Sequence, residues 1–170
     1  MFPANSQITE QIPNSTPCYL AAVLAFTALI TSPQIKAEDD FTGLGFLPDA
    51  AYENGHANGI SADGSVVVGY SYNANSNPEA FRWVDGAMTG LGFLPNASLD
   101  RSYAYAVSDD GSVIVGHGKN ANGNYEAFRW VDGAMTGLGF LPGAATDGSH
   151  ASGVSADGSV VVGYSYNANS

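Results

Sequence analysis

Apolar residues in this chain come in short runs broken by glycine, aspartate and asparagine. Val66-Val67-Val68 follows Ser61-Ala62-Asp63-Gly64-Ser65, and Ala80-Phe81-Arg82-Trp83-Val84 precedes Asp85-Gly86. Short apolar runs bounded by turn residues read as β-strands. Asp-Gly between two such runs predicts a tight hairpin, because the turn needs positive φ and glycine supplies it without steric cost. In 79–84 the pattern alternates. Phe81 and Trp83 point one way, and Ala80, Arg82 and Val84 the other. The valine run is apolar throughout, which predicts a strand covered on both faces. One cassette therefore predicts two hairpins, or four short strands, with the polar loop 71–78 between them.

The cassette repeats. Gly43-Leu44-Gly45-Phe46-Leu47-Pro48 returns at Gly90 and at Gly137, a step of 47 residues each time. Glu79 and the ten residues after it return unchanged from Glu126. The units are 43–89, 90–136 and 137–170. The last is incomplete, since it lacks the Glu-Ala-Phe-Arg-Trp half. A repeat unit cannot bury its apolar face alone, whereas stacked copies can. The expectation is an all-β chain of tandem four-stranded repeats, partially β-propeller-like. The alternative is an open β-solenoid. Closing a ring of about six or seven such blades would take roughly 280–330 residues. The chain is therefore expected to be the start of a longer array, a truncated reading frame, or a piece completed by another chain.

Residues 1–40 differ. They carry the apolar run 19–30 (YLAAVLAFTALI), followed by Ile35-Lys36-Ala37 and then Glu38-Asp39-Asp40. The run is too short to span a bilayer as a helix and has the length of a signal-peptide core. It predicts a secretory signal, residues 1–37, with cleavage after Ala37. Against this, no Lys or Arg precedes the run, and Glu10 does. A short hydrophobic helix or an uncleaved anchor is the alternative. The one cysteine, Cys18, lies before the core, so residues 38–170 would hold none. That suits an exported protein that does not rely on disulfides.

Composition narrows the function classes. Five Lys and Arg against 16 Asp and Glu give a formal net charge of −11. A nucleic-acid partner would need clustered cations, so none is expected. Charged residues are only 12% and aromatics 11%, unlike a disordered acidic tail.

The tract Glu-Ala-Phe-Arg-Trp-Val-Asp-Gly-Ala-Met-Thr-Gly-Leu-Gly, with the Gly-Ile-Ser-Ala-Asp-Gly-Ser-Val-Val-Val-Gly-Tyr stretch, resembles the bacterial extracellular HAF repeat. Ala80, Phe81, Trp83, Gly86, Met88, Leu91, Gly92 and Gly69 fall on matching positions, as do their equivalents one step later. The resemblance covers nearly all of 41–170. Glu79 and Glu126 stand where that family has His, and Phe-Leu-Pro where it usually has Thr-Leu-Gly-Gly. The resemblance implies an exported, cell-surface protein, sometimes the passenger of an outer-membrane autotransporter. It implies no enzymatic activity.

Candidate chemistry is sparse. The Ser-x-Asp-Gly-Ser box (Ser61, Asp63, Ser65 and the equivalents from Ser108 and Ser155) reads as turn chemistry, with calcium as the weaker alternative. It also resembles the Asp-box turn on propeller blades of sialidase-like enzymes, where the turn is structural. The nonrepeated acids Asp49, Glu53, Asp100 and Asp147 read as solvated loop residues. His56, His117 and His150 share no metal-ligand spacing. No catalytic, cofactor or metal residue is assigned, and no cofactor is expected. The tyrosines Tyr70, Tyr72, Tyr103, Tyr105, Tyr125 and Tyr164 lie in or beside the loops and variable segments 49–58, 96–105 and 143–152. They are the candidate interaction surface, for a glycan or a protein. The expected function is a noncatalytic exported repeat protein for surface display, adhesion or scaffolding. A propeller-type extracellular glycan hydrolase or lyase, and a nonfunctional truncated copy, are the alternatives.

Overall fold

The computed structural model describes residues 42–143 and 148–166. The signal-peptide expectation, Cys18 and Asp147 lie outside them. Ten strands are described. β1 (Gly55–Ile60), β2 (Val66–Tyr72), β3 (Pro78–Val84) and β4 (Ala87–Gly90) form one antiparallel sheet in that order. β5 (Ser102–Val107), β6 (Val113–Lys119), β7 (Tyr125–Val131) and β8 (Ala134–Gly137) form the second. β9 (Ser149–Val154) and β10 (Val161–Ser165) form a two-stranded pair. The fold class expected from the repeat is therefore observed. The two hairpins of a unit do not stay separate: β2 and β3 also pair in continuous register, so each complete unit is one meander.

Local chemistry explains the turns. Asp85 (φ 50°) and Gly86 (φ 85°) both take positive φ between β3 and β4, the demand of a two-residue type I′ turn. Asp132 and Gly133 repeat it at 49° and 85°. In the first hairpin Asp63 Oδ1 accepts from the Ser65 amide (2.9 Å) and from the hydroxyls of Ser61 (2.7 Å) and Ser65 (2.8 Å). Ser61 Oγ in turn accepts from the Val66 amide at 3.0 Å. The same bonds recur around Asp110 and Asp157. They hold all three carboxyls down to about 2, through hydrogen bonds from the flanking serines. The box is a turn lock.

Each first strand carries a bulge, at Asn58, Tyr105 and Ser152. The bulge brings the first strand against the second so closely that a Cβ at Gly69 would run into the His56 carbonyl. Gly116 and Gly163 meet Tyr103 and His150 in the same way. No larger residue fits after the valine run.

Packing uses both faces, as the alternation predicts. Phe81, Trp83, Met88 and Val67 face Leu44 and Leu47 of the preceding linker. Ala80, Val66 and Val68 face the second sheet, meeting Ala104, Ile114, Phe128 and Met135 beside Leu91 and Leu94. The Leu-x-x-Leu linker of each of the first two units thus enters the Phe/Met face of its own sheet. The second sheet packs on β9 and β10 through Val113, Val115, Ala127 and Ala151.

Polar clamps fix the stack. Ser102 Oγ accepts from the Ala80 amide (2.9 Å) and donates to the Gly92 carbonyl (2.7 Å). Ser149 does the same with Ala127 and Gly139. The box turns also join in a row, Ala62 amide to Asp109 carbonyl and Asp109 amide to Ala156 carbonyl. Glu79 accepts from Asn73 Nδ2 (2.8 Å) and from the Gly92 amide (3.1 Å). Glu126 repeats this with Asn120 and Gly139. These two acids tie loop to linker and are scaffold.

Candidate functional site

Three cross-strand pairs lie just before the bulges. They are His56 with Tyr70, Tyr103 with His117, and His150 with Tyr164. Each unit supplies one histidine and one tyrosine, exchanged between strands in the middle unit. Side chains directly opposite on antiparallel strands touch, so the first and third pairs stack and the middle pair meets at a tilt of 35°. His56 lies 5.0 Å from Tyr70, Tyr103 5.1 Å from His117, and His150 4.7 Å from Tyr164, between ring centroids.

Stacking of the units joins these pairs into one seam. Tyr70 meets Tyr103 edge-on at 4.9 Å. His117 meets His150 at 4.0 Å, with the two Nδ1 atoms 2.8 Å apart. One Nδ1 must donate and the other accept, so two neutral rings here take opposite tautomers. Burial, then His150 and Lys119, push His117 down to about 3. Burial lowers His150 as well.

Most of the sequence-predicted tyrosines come together here. Tyr105 stacks on His117 at 5.2 Å, and Tyr125 meets His117 edge-on at 5.0 Å. Burial, followed by the neighbouring Tyr125, raises the Tyr103 phenol. Tyr72 packs edge-on against Tyr52 at 5.7 Å, near enough to Tyr70 and Tyr103 to raise both phenols, behind burial as the larger cause. Two tyrosines outside the expected set belong to the surface: Tyr52, and Tyr166, which meets Tyr164 at 5.6 Å.

The histidine contact was not visible in sequence spacing. His117 and His150 are 33 residues apart and occupy different positions of their units. The signal was indirect: each lies at one half of a cross-strand pair, and neighbouring units bring unlike halves together. Among the described residues no group of three or more His, Cys, Asp or Glu could hold a metal ion.

Beside the seam, between the second and third units, lies a cleft of about 420 Å³. Lys119, Tyr125, Gly148, His150, Tyr164 and Tyr166 are among its lining residues. Lys119 Nζ sits 3.7 Å above the Tyr125 ring and donates to the Gly123 carbonyl at 2.8 Å. A second, more apolar hollow of about 250 Å³ runs along β10, lined by Leu138, Leu141, Val162 and Tyr164.

No family model matches the chain, and no curated protein matches it in sequence. Among solved structures it is similar to TolB from Acinetobacter baumannii, with a TM-score of 0.50 at 19% identity. The match covers 69% of this chain and 28% of that one, so the chain spans well under a third of the TolB chain. At this identity the likeness speaks for the fold: the two sheets and the pair resemble TolB propeller blades.

Proposed function

We propose that the chain is an exported, noncatalytic β-repeat protein that serves surface display, adhesion or scaffolding, of the kind the HAF resemblance implies, including an autotransporter passenger. Its place is the cell envelope or beyond.

The observation that carries this reading is the division of labour among the residues. The acids inside the repeat are spent on structure: Asp63, Asp110 and Asp157 lock turns, while Glu79 and Glu126 brace loops. Among the positions that change from unit to unit are the tyrosines and histidines along one seam and its rim. A surface of tyrosine rings with hydroxyl tips offers apolar area and hydrogen bonds without a reacting group.

The test is a panel of extracellular polysaccharides incubated with purified protein, alongside retention of the protein on cells. Binding without turnover is the expected result. Turnover abolished by one point mutation overturns the reading in favour of a glycan hydrolase or lyase. Fractionation of the full chain tests export. Recovery of the protein in the cytoplasm with residues 1–37 still attached overturns that part.

A further inference from the structure

We infer that the cleft between the second and third units binds an acidic sugar, a uronic acid residue within a glycan. This rests on the noncatalytic binding role proposed above and gives that role a site and a ligand class.

The first support is where the repeat breaks. Among the positions at which the first two units differ, Lys119 stands where the first unit has Tyr72, and Tyr125 where it has Pro78. These two exceptions lie together on the cleft wall, with the Lys119 ammonium over the Tyr125 ring. A scaffold needs its constant residues, whereas a site that occurs once needs the exceptions.

The second support is charge. The chain carries a formal −11, and its described cations are Arg82, Arg101, Lys119 and Arg129. Arg82 and Arg129 are half-buried within β3 and β7. Arg101 and Lys119 lie at the rim, joined by a backbone hydrogen bond of 2.9 Å. Lys119 is the one cation lining the cleft among the described residues. A strongly acidic protein that keeps an ammonium in an aromatic cleft fits an anionic ligand, since elsewhere its own field repels one.

The third is shape. The volume falls in the small-ligand range of ~300–1,000 Å³. Tyr164 and Tyr166 stand 79° to one another, so the cleft presents ring faces in two directions. A pyranose has apolar C–H faces and a girdle of hydroxyls. The ring faces suit the former and the phenol hydroxyls the latter. Lys119 gives one proton to the Gly123 carbonyl and lies over the Tyr125 ring, which leaves its charge and a proton for a carboxylate.

The test is calorimetric titration of the full chain with tetragalacturonate and with its methyl ester, which keeps the shape and removes the charge. Lys119→Met and Tyr164→Ala are the test variants. Tyr52→Ala, on the rim but outside the cleft, is the control, and each variant's fold is checked by circular dichroism. Lys119→Met is expected to weaken tetragalacturonate about tenfold or more, the scale of a hydrogen bond to a charged group. The ester should lose as much on the unmodified chain and nothing further on Lys119→Met. Tyr164→Ala should weaken both probes, and Tyr52→Ala neither. Equal binding of acid and ester, or no binding at millimolar probe, overturns the site. Failure here with cell retention intact rejects only this ligand and place. Cleavage of the bound probe rejects the noncatalytic role and leaves the site standing.

Discussion

Residues 61–70 and 155–164 are the same ten amino acids, Ser-Ala-Asp-Gly-Ser-Val-Val-Val-Gly-Tyr. Their turns are alike down to the hydrogen bonds around Asp63 and Asp157. Their burial is not. Val66 is 2% exposed and Val160 56%, while Val68 is 0% and Val162 58%. The linker leucines follow suit: Leu91 and Leu94 are buried, Leu138 and Leu141 exposed. In the first unit β3 pairs along β2 and a further sheet lies beyond. Among the described residues, β10 pairs with β9 alone. The lesson is that turn geometry travels with the sequence, whereas burial is conferred by neighbours.

Mutations can break this comparison. Phe128→Ala should cost the most, about 3–5 kcal/mol, because the ring is fully buried between two sheets. Urea denaturation measures it. Next is the matched pair Val68→Ala and Val162→Ala. The first should cost ~2–3 kcal/mol and the second under ~0.5 kcal/mol. Equal costs would mean that β10 is covered in solution. Gly69→Ala and Gly163→Ala sharpen the point in the other direction. The added methyl meets a first-strand carbonyl in both, so each should destabilise its own hairpin by about 1–3 kcal/mol. Amide exchange in β1–β2 and in β9–β10 reads the two separately.

The pH predictions are smaller. His117 faces Tyr103, Tyr105, Tyr125, His150 and Lys119. Its folded pKa of about 3 lies below the ordinary 6.5. The unfolded chain therefore takes up its proton first, and the contribution is complete above 6.5 and is lost as pH falls toward 3. Exchange protection of β9 should fall over that window, and His117→Gln should flatten the fall. Smallest are the turn acids. Asp63, Asp110 and Asp157 are held near 2 from an ordinary 3.8, so their contribution is present above 3.8 and fades as pH drops toward 2. Carboxyl titration by NMR should find all three alike, because this device is local to each hairpin.

Much of the fold was legible for the same reason. Asp-Gly marks turns, alternation of Phe81 and Trp83 marks one face, and an apolar triplet marks a strand with two. The surface was legible in part, since tyrosines beside loops stand out in a sequence whose other positions repeat. Tyr166 and the pairing of His117 with His150 were not, because a contact across units leaves no spacing to read.

By itself, then, the sequence determined strands, turns and the boundaries of the units, which follow from local turn chemistry and from the repeat. Tertiary structure alone decided which copy of the valine run is dry, which histidines share a proton, and where Lys119 and Tyr125 find Tyr164. Those depend on what one sheet places against the next, and identical segments carry no record of their different neighbours.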